Sequence, residues 1–297
     1  MTTFQKITLI GKGLFGSAVL SELVTGGFEV TLLSRSEKPD EVLPDGVRRV
    51  VVDYNDVESL TKVLTGQDAV VSTVSVEAVP GQKVIIDAAI QAHVKRFIPS
   101  DFGSLTTDPA ASHLPHHVHM VEIQNYLKSK SDQIEYTIFS IGAFTEFLVN
   151  YGVIFDWQSK KAQVWGDGTS PISTTSLQGA ARAIVGALKN PEPTKNKNIF
   201  IHEHVVTQKQ LLGLAKKYSP GVEWTITTVE DPKAEFDRLE ALTKEQPEIP
   251  NIITLVKASI TSGKYQGAYK KVDNGLVGVS LLTEEDLEAT FAKAYGS

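Results

Sequence analysis

The residues with the plainest chemistry stand at the front of the chain. Gly11-Lys12-Gly13-Leu14-Phe15-Gly16 follows a short apolar, β-branched run, Lys6–Ile10. Behind it, Ala18, Val19, Leu20, Leu23 and Val24 form an apolar stripe at helical spacing. A Gly-x-Gly-x-x-Gly loop between a strand and a helix is a phosphate cradle. Gly11 permits the tight turn, Gly13 lets backbone approach a pyrophosphate, and Gly16 lets helix and strand pack closely. Leu14 and Phe15 lie inside the loop and share its ligand contacts. The helix, read here as starting at Ser17, adds unbonded N–H groups and the positive end of its dipole. The second strand, Phe28–Leu33, ends in Ser34-Arg35-Ser36, with Lys38 close behind. A carboxylate there would hold a ribose 2′-hydroxyl, whereas an arginine takes a 2′-phosphate bidentately and stacks on adenine. The expected cofactor is NADPH.

Further candidates sit where later strands end. Ser72-Thr73-Val74 closes an apolar fourth strand, at the carboxyl edge where such sheets bind ligands. Ser100, Asp101 and Phe102 follow a fifth, Arg96–Ile98. Phe102, Phe144, Phe147, Trp165 and Tyr265 could wall an apolar substrate pocket, and each is equally at home in a core. His113, His116, His117 and His119 crowd the stretch before a helix read as Glu122–Lys130. Three readings fit that cluster: a solvent-facing loop, a metal site, or a pocket in which one histidine acts as general acid. Pro115 breaks helical register and no carboxylate frames the set, so no metal is expected, and His119 is the best acid. Tyr126 and Lys130 have Tyr-x-x-x-Lys spacing but lie in the back half of the helix.

The elements that position these groups alternate. Strands at Lys6–Ile10, Phe28–Leu33, Val47–Val52, Ala69–Val74, Arg96–Ile98 and Tyr136–Ile141 are separated by helical stretches. Continuous apolar strands mean a sheet covered on both faces, so the fold class is α/β, a doubly wound parallel sheet. Beyond residue 150 prolines interrupt a mixture of helix and short strand, and the Pro191–Asn198 stretch reads as a surface turn. The expected organisation is a dinucleotide-binding domain over 1–150 and a smaller α+β substrate lobe over 151–297, with some elements returning to the first.

Composition bounds the rest. The chain has 297 residues, 41% hydrophobic, with no cysteine and a formal net charge of −6. Disulfides, thiolate metal sites and a cysteine nucleophile are excluded. A broadly basic nucleic-acid footprint is absent. No apolar run reaches the roughly 18–20 residues that span a bilayer. The expectation is a cytoplasmic protein, monomer or homodimer, whose partner is a small molecule and neither nucleic acid nor membrane.

Val94-Lys95-Arg96-Phe97-Ile98-Pro99-Ser100-Asp101-Phe102-Gly103 resembles the isoflavone reductase-like, NmrA-like branch of the atypical short-chain dehydrogenases. That branch includes plant phenylcoumaran benzylic ether reductases and many fungal members. The glycine loop, Arg35, Ser72-Thr73, Ile141-Gly142-Ala143-Phe144 and Trp165-Gly166-Asp167-Gly168 fit it too. The resemblance implies NADPH in the first half and an aromatic or alkaloid-like substrate. Its reductases carry a lysine as general acid in the helix after the Pro-Ser-acid-Phe-Gly loop. Met120 falls at that position, and a one-residue shift gives His119. Methionine donates no proton, so the expected acceptor is preactivated, an iminium ion, enone or quinone methide. Two rivals stay open: a catalytically silent dinucleotide-sensing regulator, and a redox-neutral isomerase, dehydratase or cyclase.

Overall fold

The computed structural model describes residues 4–37, 40–149 and 153–295. The first half runs β1 (Lys6–Ile10), α1 (Leu14–Thr25), β2 (Glu29–Ser34), β3 (Arg48–Val51), α2 (Val57–Leu64), β4 (Ala69–Ser72), α3 (Gln82–Gln91), β5 (Arg96–Ile98), α4 (Val118–Ser129) and β6 (Glu135–Ser140). A 3-10 turn at Val76–Gly81 leads into α3. The second half adds β7 (Ala143–Phe144), α5 (Thr145–Val149), β8 (Phe155–Asp156), β9 (Lys161–Trp165), β10 (Ile172–Thr175), α6 (Leu177–Lys189), α7 (Pro191–Thr194) and β11 (Lys197–Phe200). It ends with β12 (His204–Val206), α8 (Gln208–Lys217), β13 (Thr225–Val229), α9 (Pro232–Glu245), α10 (Ile249–Thr261), α11 (Asn274–Val277) and α12 (Glu284–Tyr295).

Among the described residues the main sheet has seven strands, in the order β11-β6-β5-β4-β1-β2-β3. Every pair in it is parallel. The strand order reverses between β1 and β4, and in an open α/β sheet that reversal opens a crevice at the carboxyl ends. Both faces are covered, as the continuous apolar strands predict. In β4, Ala69 and Val71 join the core under α1 and α6, while Val70 joins the core under α2 and α3. Burial of each such side chain contributes roughly 1.5–3 kcal/mol.

The second half does not stand apart. β11 pairs with β6 and completes the main sheet, and α6 packs its alanine-rich face on α1. Two small three-stranded sheets, β12-β10-β7 and β13-β9-β8, carry the rest. Several of these strands escape a period-two reading because they are only two to five residues long.

Three local expectations are corrected. The first helix starts at Leu14, not Ser17, because Gly13 is already its N-cap. The fourth helix starts at Val118, not Glu122, so His119 and Met120 lie in its first turn. The stretch from Pro191 is a short helix with Pro191 and Thr194 buried, not a surface turn. Arg96 explains the last point. It is 1% exposed, and donates to Glu135 Oε2 at 2.7 Å, Thr137 Oγ1 at 3.0 Å, Thr194 Oγ1 at 3.2 Å and the Pro191 carbonyl at 3.0 Å. One buried guanidinium therefore ties α7 to β5 and β6. Arg96→Ala removes the donor these four acceptors share, leaving Glu135 only Lys195 and the Pro191 carbonyl only the Thr194 hydroxyl, and is expected to lower unfolding free energy by about 3 kcal/mol in urea titration. A loss within error of zero would show that the network is not structural.

Candidate dinucleotide site

The cleft at the strand reversal has a volume of about 480 Å³ and is lined by Gly11 to Gly16, Ser34, Arg35, Thr73 and Val74, among others. Gly11 has φ +93°, and a Cβ there would stand 2.7 Å from the Thr73 carbonyl oxygen. A Cβ on Gly16 would stand 2.3 Å from the Gly11 carbonyl oxygen and 2.7 Å from Thr73 Oγ1. These two glycines are required by packing. Gly13 differs: a Cβ there meets nothing within 4 Å, so the space beside it is open to a ligand. No side chain caps α1, and its first turn holds no acid. The N–H groups at its start are thus left for an anion.

Thr73 does more than its position at a strand end suggests. Its hydroxyl donates to the Gly11 carbonyl at 2.8 Å, and its N–H donates to the Ile10 carbonyl at 2.8 Å. It pins the glycine loop to β4. Ser72 is buried and does not line the cleft. Ser100 also lies off the cleft wall: its hydroxyl donates to the Val74 carbonyl and its N–H to Gln82 Oε1, both at 2.8 Å. Lys38 lies outside the described residues. Sequence reading missed Tyr54, which lines the cleft and donates to the Leu33 carbonyl at 2.9 Å. Burial pushes its phenol up to about 12.

Phe15 turns the cleft toward an aromatic wall. Its ring meets Phe102 edge-on at 4.7 Å and Phe144 at 5.1 Å, and Phe144 meets Phe147 at 5.3 Å. Trp165 and Tyr265 belong to a different apolar cluster, with Leu105, Leu114 and Phe236. Tyr269 braces the wall from behind. Its hydroxyl donates to the Ser104 carbonyl at 2.8 Å and accepts from the Gly142 N–H at 2.9 Å. It therefore ties together the loops that carry Phe102 and Phe144.

The four histidines diverge. His113 Nε2 faces Glu240 at 3.2 Å, and His117 Nδ1 donates to the Ala111 carbonyl at 2.8 Å. His119 is exposed, with Nδ1 at 3.6 Å from Glu122. His116 is largely buried against the His117 ring, and burial pushes its imidazole down to about 3. Among the described residues no three potential ligands are grouped to hold a metal ion. Met120 is half-buried and, like Val74, packs against the core under α2 and α3. Asp101 is buried, which raises its carboxyl pKa, and accepts from Thr106 Oγ1 and Gln124 Nε2, both at 2.7 Å. It clamps the loop bearing Phe102 to α4. Tyr126 donates to Asp87 at 2.5 Å, which pushes its phenol up to about 12 and engages it with α3.

A family model described as NAD(P)H-binding matches residues 11–191. The oxidoreductase aprR of Aspergillus flavus is 30% identical over 261 residues, 85% of this chain and 88% of that protein. A crystal structure of isoflavone reductase superposes with a TM-score of 0.75 at 20% identity, covering 98% of this chain and 99% of that one. The chain belongs to the NAD(P)H-binding oxidoreductase family and shares the fold of isoflavone reductase. The leucoanthocyanidin reductase–NADPH complex from Vitis vinifera shares the family fold, with a TM-score of 0.73 at 18% identity over 98% of this chain and 99% of that chain.

Two glycine substitutions test the site. Gly13→Ala is expected to keep its urea midpoint yet bind NADP⁺ about 10–100-fold more weakly by calorimetry, because its methyl displaces phosphate hydrogen bonds. Gly16→Ala is expected to lose about 1–3 kcal/mol of stability by overpacking. A Gly13→Ala protein that binds NADP⁺ normally contradicts the cradle.

A separate prediction concerns His116, which lies off the cleft. Burial holds its folded pKa below the ordinary histidine value of about 6.5, so unfolding takes up a proton under mild acid. Its contribution is complete above about pH 6.5 and is lost as pH falls toward about 3. Between about pH 7 and about pH 5 the loss is about 2 kcal/mol. Urea midpoints should show that slope in the wild type and a flatter one in His116→Leu; equal slopes contradict the assignment.

Proposed function

We propose that the chain is an NADPH-dependent reductase of a small aromatic or alkaloid-type molecule with an already electrophilic carbon. Phe15 carries this reading, because one residue belongs both to the phosphate loop and to the aromatic wall. Arg35 at the end of β2 supports NADPH over NADH, as do the NADPH complex of leucoanthocyanidin reductase and the NADP⁺ complex of AtPrR2 with pinoresinol. NADPH would supply a hydride. The glycine loop and the start of α1 would grip its phosphates, with Thr73 holding the loop in place. Phe102 and Phe144 would press a flat substrate toward the hydride and exclude water, and proximity of that kind supplies much of a rate enhancement. Residues 1–150 would hold most of the cofactor, and 151–297 would close the substrate side.

Met120 offers no acid where the family's reductases carry lysine. His119 is solvent-facing and paired with Glu122, which argues against it as a buried acid. An iminium, enone or quinone methide needs no proton before hydride arrives. The same lack of an acid fits a dinucleotide-sensing regulator, and turnover separates the two. Among the described residues no helix is long and apolar enough to cross a membrane; a cytoplasmic monomer or homodimer remains part of the proposal.

NADPH absorbance should fall with preactivated compounds, and deuterium at C4 of the cofactor should appear in the product. Met120→Lys should speed reduction of ether-type substrates, which need leaving-group protonation, by about 10²-fold. NADPH that binds but is never consumed with any preactivated compound would leave the regulator as the correct reading.

A further inference from the structure

The mouth of the cleft holds three charged residues that the proposed reaction does not use. Lys12 is the second residue of the glycine loop, Arg49 lies on β3, and Glu41 lies in the β2–β3 connection. Lys12 Nζ reaches Glu41 Oε1 at 2.5 Å, and Arg49 Nη2 pairs with the other carboxylate oxygen, Oε2. The three side chains are only 19%, 11% and 25% exposed, and all line the cleft that contains Ser34 and Arg35. The hydrogen bond from Lys12, ahead of the Arg49 charge, holds the Glu41 carboxyl below the usual carboxylate range.

A surface ion pair between long side chains would be mobile and weak. This one is sheltered, and each carboxylate oxygen answers a different cation. The arrangement is that of an anion site with the protein's own carboxylate in it. β2 and β3 are in register, Leu32 against Arg49 and Ser34 against Val51. Arg49 therefore starts beside the strand whose end carries Arg35. Three cations against one carboxylate leave the cleft mouth positive. A 2′-phosphate carries about −1.5 to −2 charges and three acceptor oxygens, so it satisfies Lys12 and Arg49 better than Glu41 can.

We propose that Lys12 and Arg49 bind the cofactor's 2′-phosphate alongside Arg35, and that Glu41 is the internal anion which the phosphate displaces. Glu41 then sets cofactor choice. Only a nucleotide with a 2′-phosphate replaces the ion pairs it breaks, so the ratio of NADP⁺ to NAD⁺ affinity is written in these residues as well as in Arg35. The inference rests on the reading of the cleft as an NADP(H) site.

Calorimetric titration of the full chain with NADP⁺, NAD⁺ and adenosine 2′-monophosphate tests it. Arg49→Met and Lys12→Met should each weaken NADP⁺ and adenosine 2′-monophosphate by about tenfold or more, as expected for a lost charge-assisted hydrogen bond. NAD⁺ affinity should stay within about twofold in Arg49→Met, whereas Lys12→Met, in the glycine loop, should weaken NADP⁺ more than NAD⁺. Arg49→Lys, which keeps the charge but loses the fork, should fall between wild type and Arg49→Met. Glu41→Gln should tighten NADP⁺ several-fold and leave NAD⁺ unchanged. Equal weakening of NADP⁺ and NAD⁺ in Arg49→Met would mean a purely structural pair and overturn the proposal. So would Glu41→Gln with unchanged or weaker NADP⁺ binding, or with weaker NAD⁺ binding, which would make Glu41 a ribose ligand. Wild-type protein that binds none of the three overturns the cofactor reading itself, whereas wild-type NADP⁺ binding with unaffected variants overturns only this inference.

Discussion

The site depends on one close contact, the approach of the glycine loop to the end of β4. Gly11 and Gly16 face each other and Thr73 at separations that leave no room for a Cβ. The Thr73 hydroxyl closes the gap by donating to the Gly11 carbonyl. Because this contact is tight, α1 begins immediately over the carboxyl end of β1. Its uncapped N–H groups then open on the crevice where the sheet reverses order. The same geometry aims Phe15 sideways, out of the phosphate cradle and into the aromatic wall. The open face of the glycine loop and the aromatic wall are thus two consequences of one turn.

The rest of the chain fixes that wall from behind. Asp101 ties the Phe102 loop to α4 through Thr106 and Gln124, and Tyr269 ties the same loop to the junction before Phe144. Gly142 has φ +70°, and a Cβ there would stand 2.1 Å from the Ser173 carbonyl oxygen, so β7 can press on β10 only with glycine in that place. These are buried polar groups with satisfied partners, which favour one arrangement over its neighbours. A wall held this way is preorganised, as the proposed positional chemistry would require.

Much of this was legible in the sequence, for reasons that particular residues make plain. The glycine spacing has one steric meaning, and Ala69–Ser72 is apolar enough to require cover on both faces. Arg35 could be read because the end of β2 is a fixed place in such a fold. Thr73 lines the cleft as its place after β4 suggests, but its role as a pin is not legible, since a side chain's hydrogen bond to a loop far back in the chain leaves no local pattern. The histidine cluster misled for a related reason. Close in sequence, His113 faces Glu240, His116 and His117 pack on one another, and His119 is exposed beside Glu122 once Pro115 and the start of α4 set the backbone. Glu41 and Arg49 carried no signal at all, because only the register of β2 on β3 brings them to the cleft.

On the proposed reading, this chain pairs a phosphate cradle with an aromatic wall and carries methionine at the position where the resemblance implies a lysine. The chain would contribute placement and dryness, and the substrate its own reactivity. The most direct measurement is a crystal structure of the protein with NADP⁺. The pyrophosphate should lie within hydrogen-bond reach of the Leu14 and Phe15 N–H groups, with the nicotinamide ring against Phe15 on the side of Phe102 and Phe144. A dinucleotide bound away from Gly13, or a nicotinamide ring turned to solvent with the phenylalanines still packed on one another, would contradict the account.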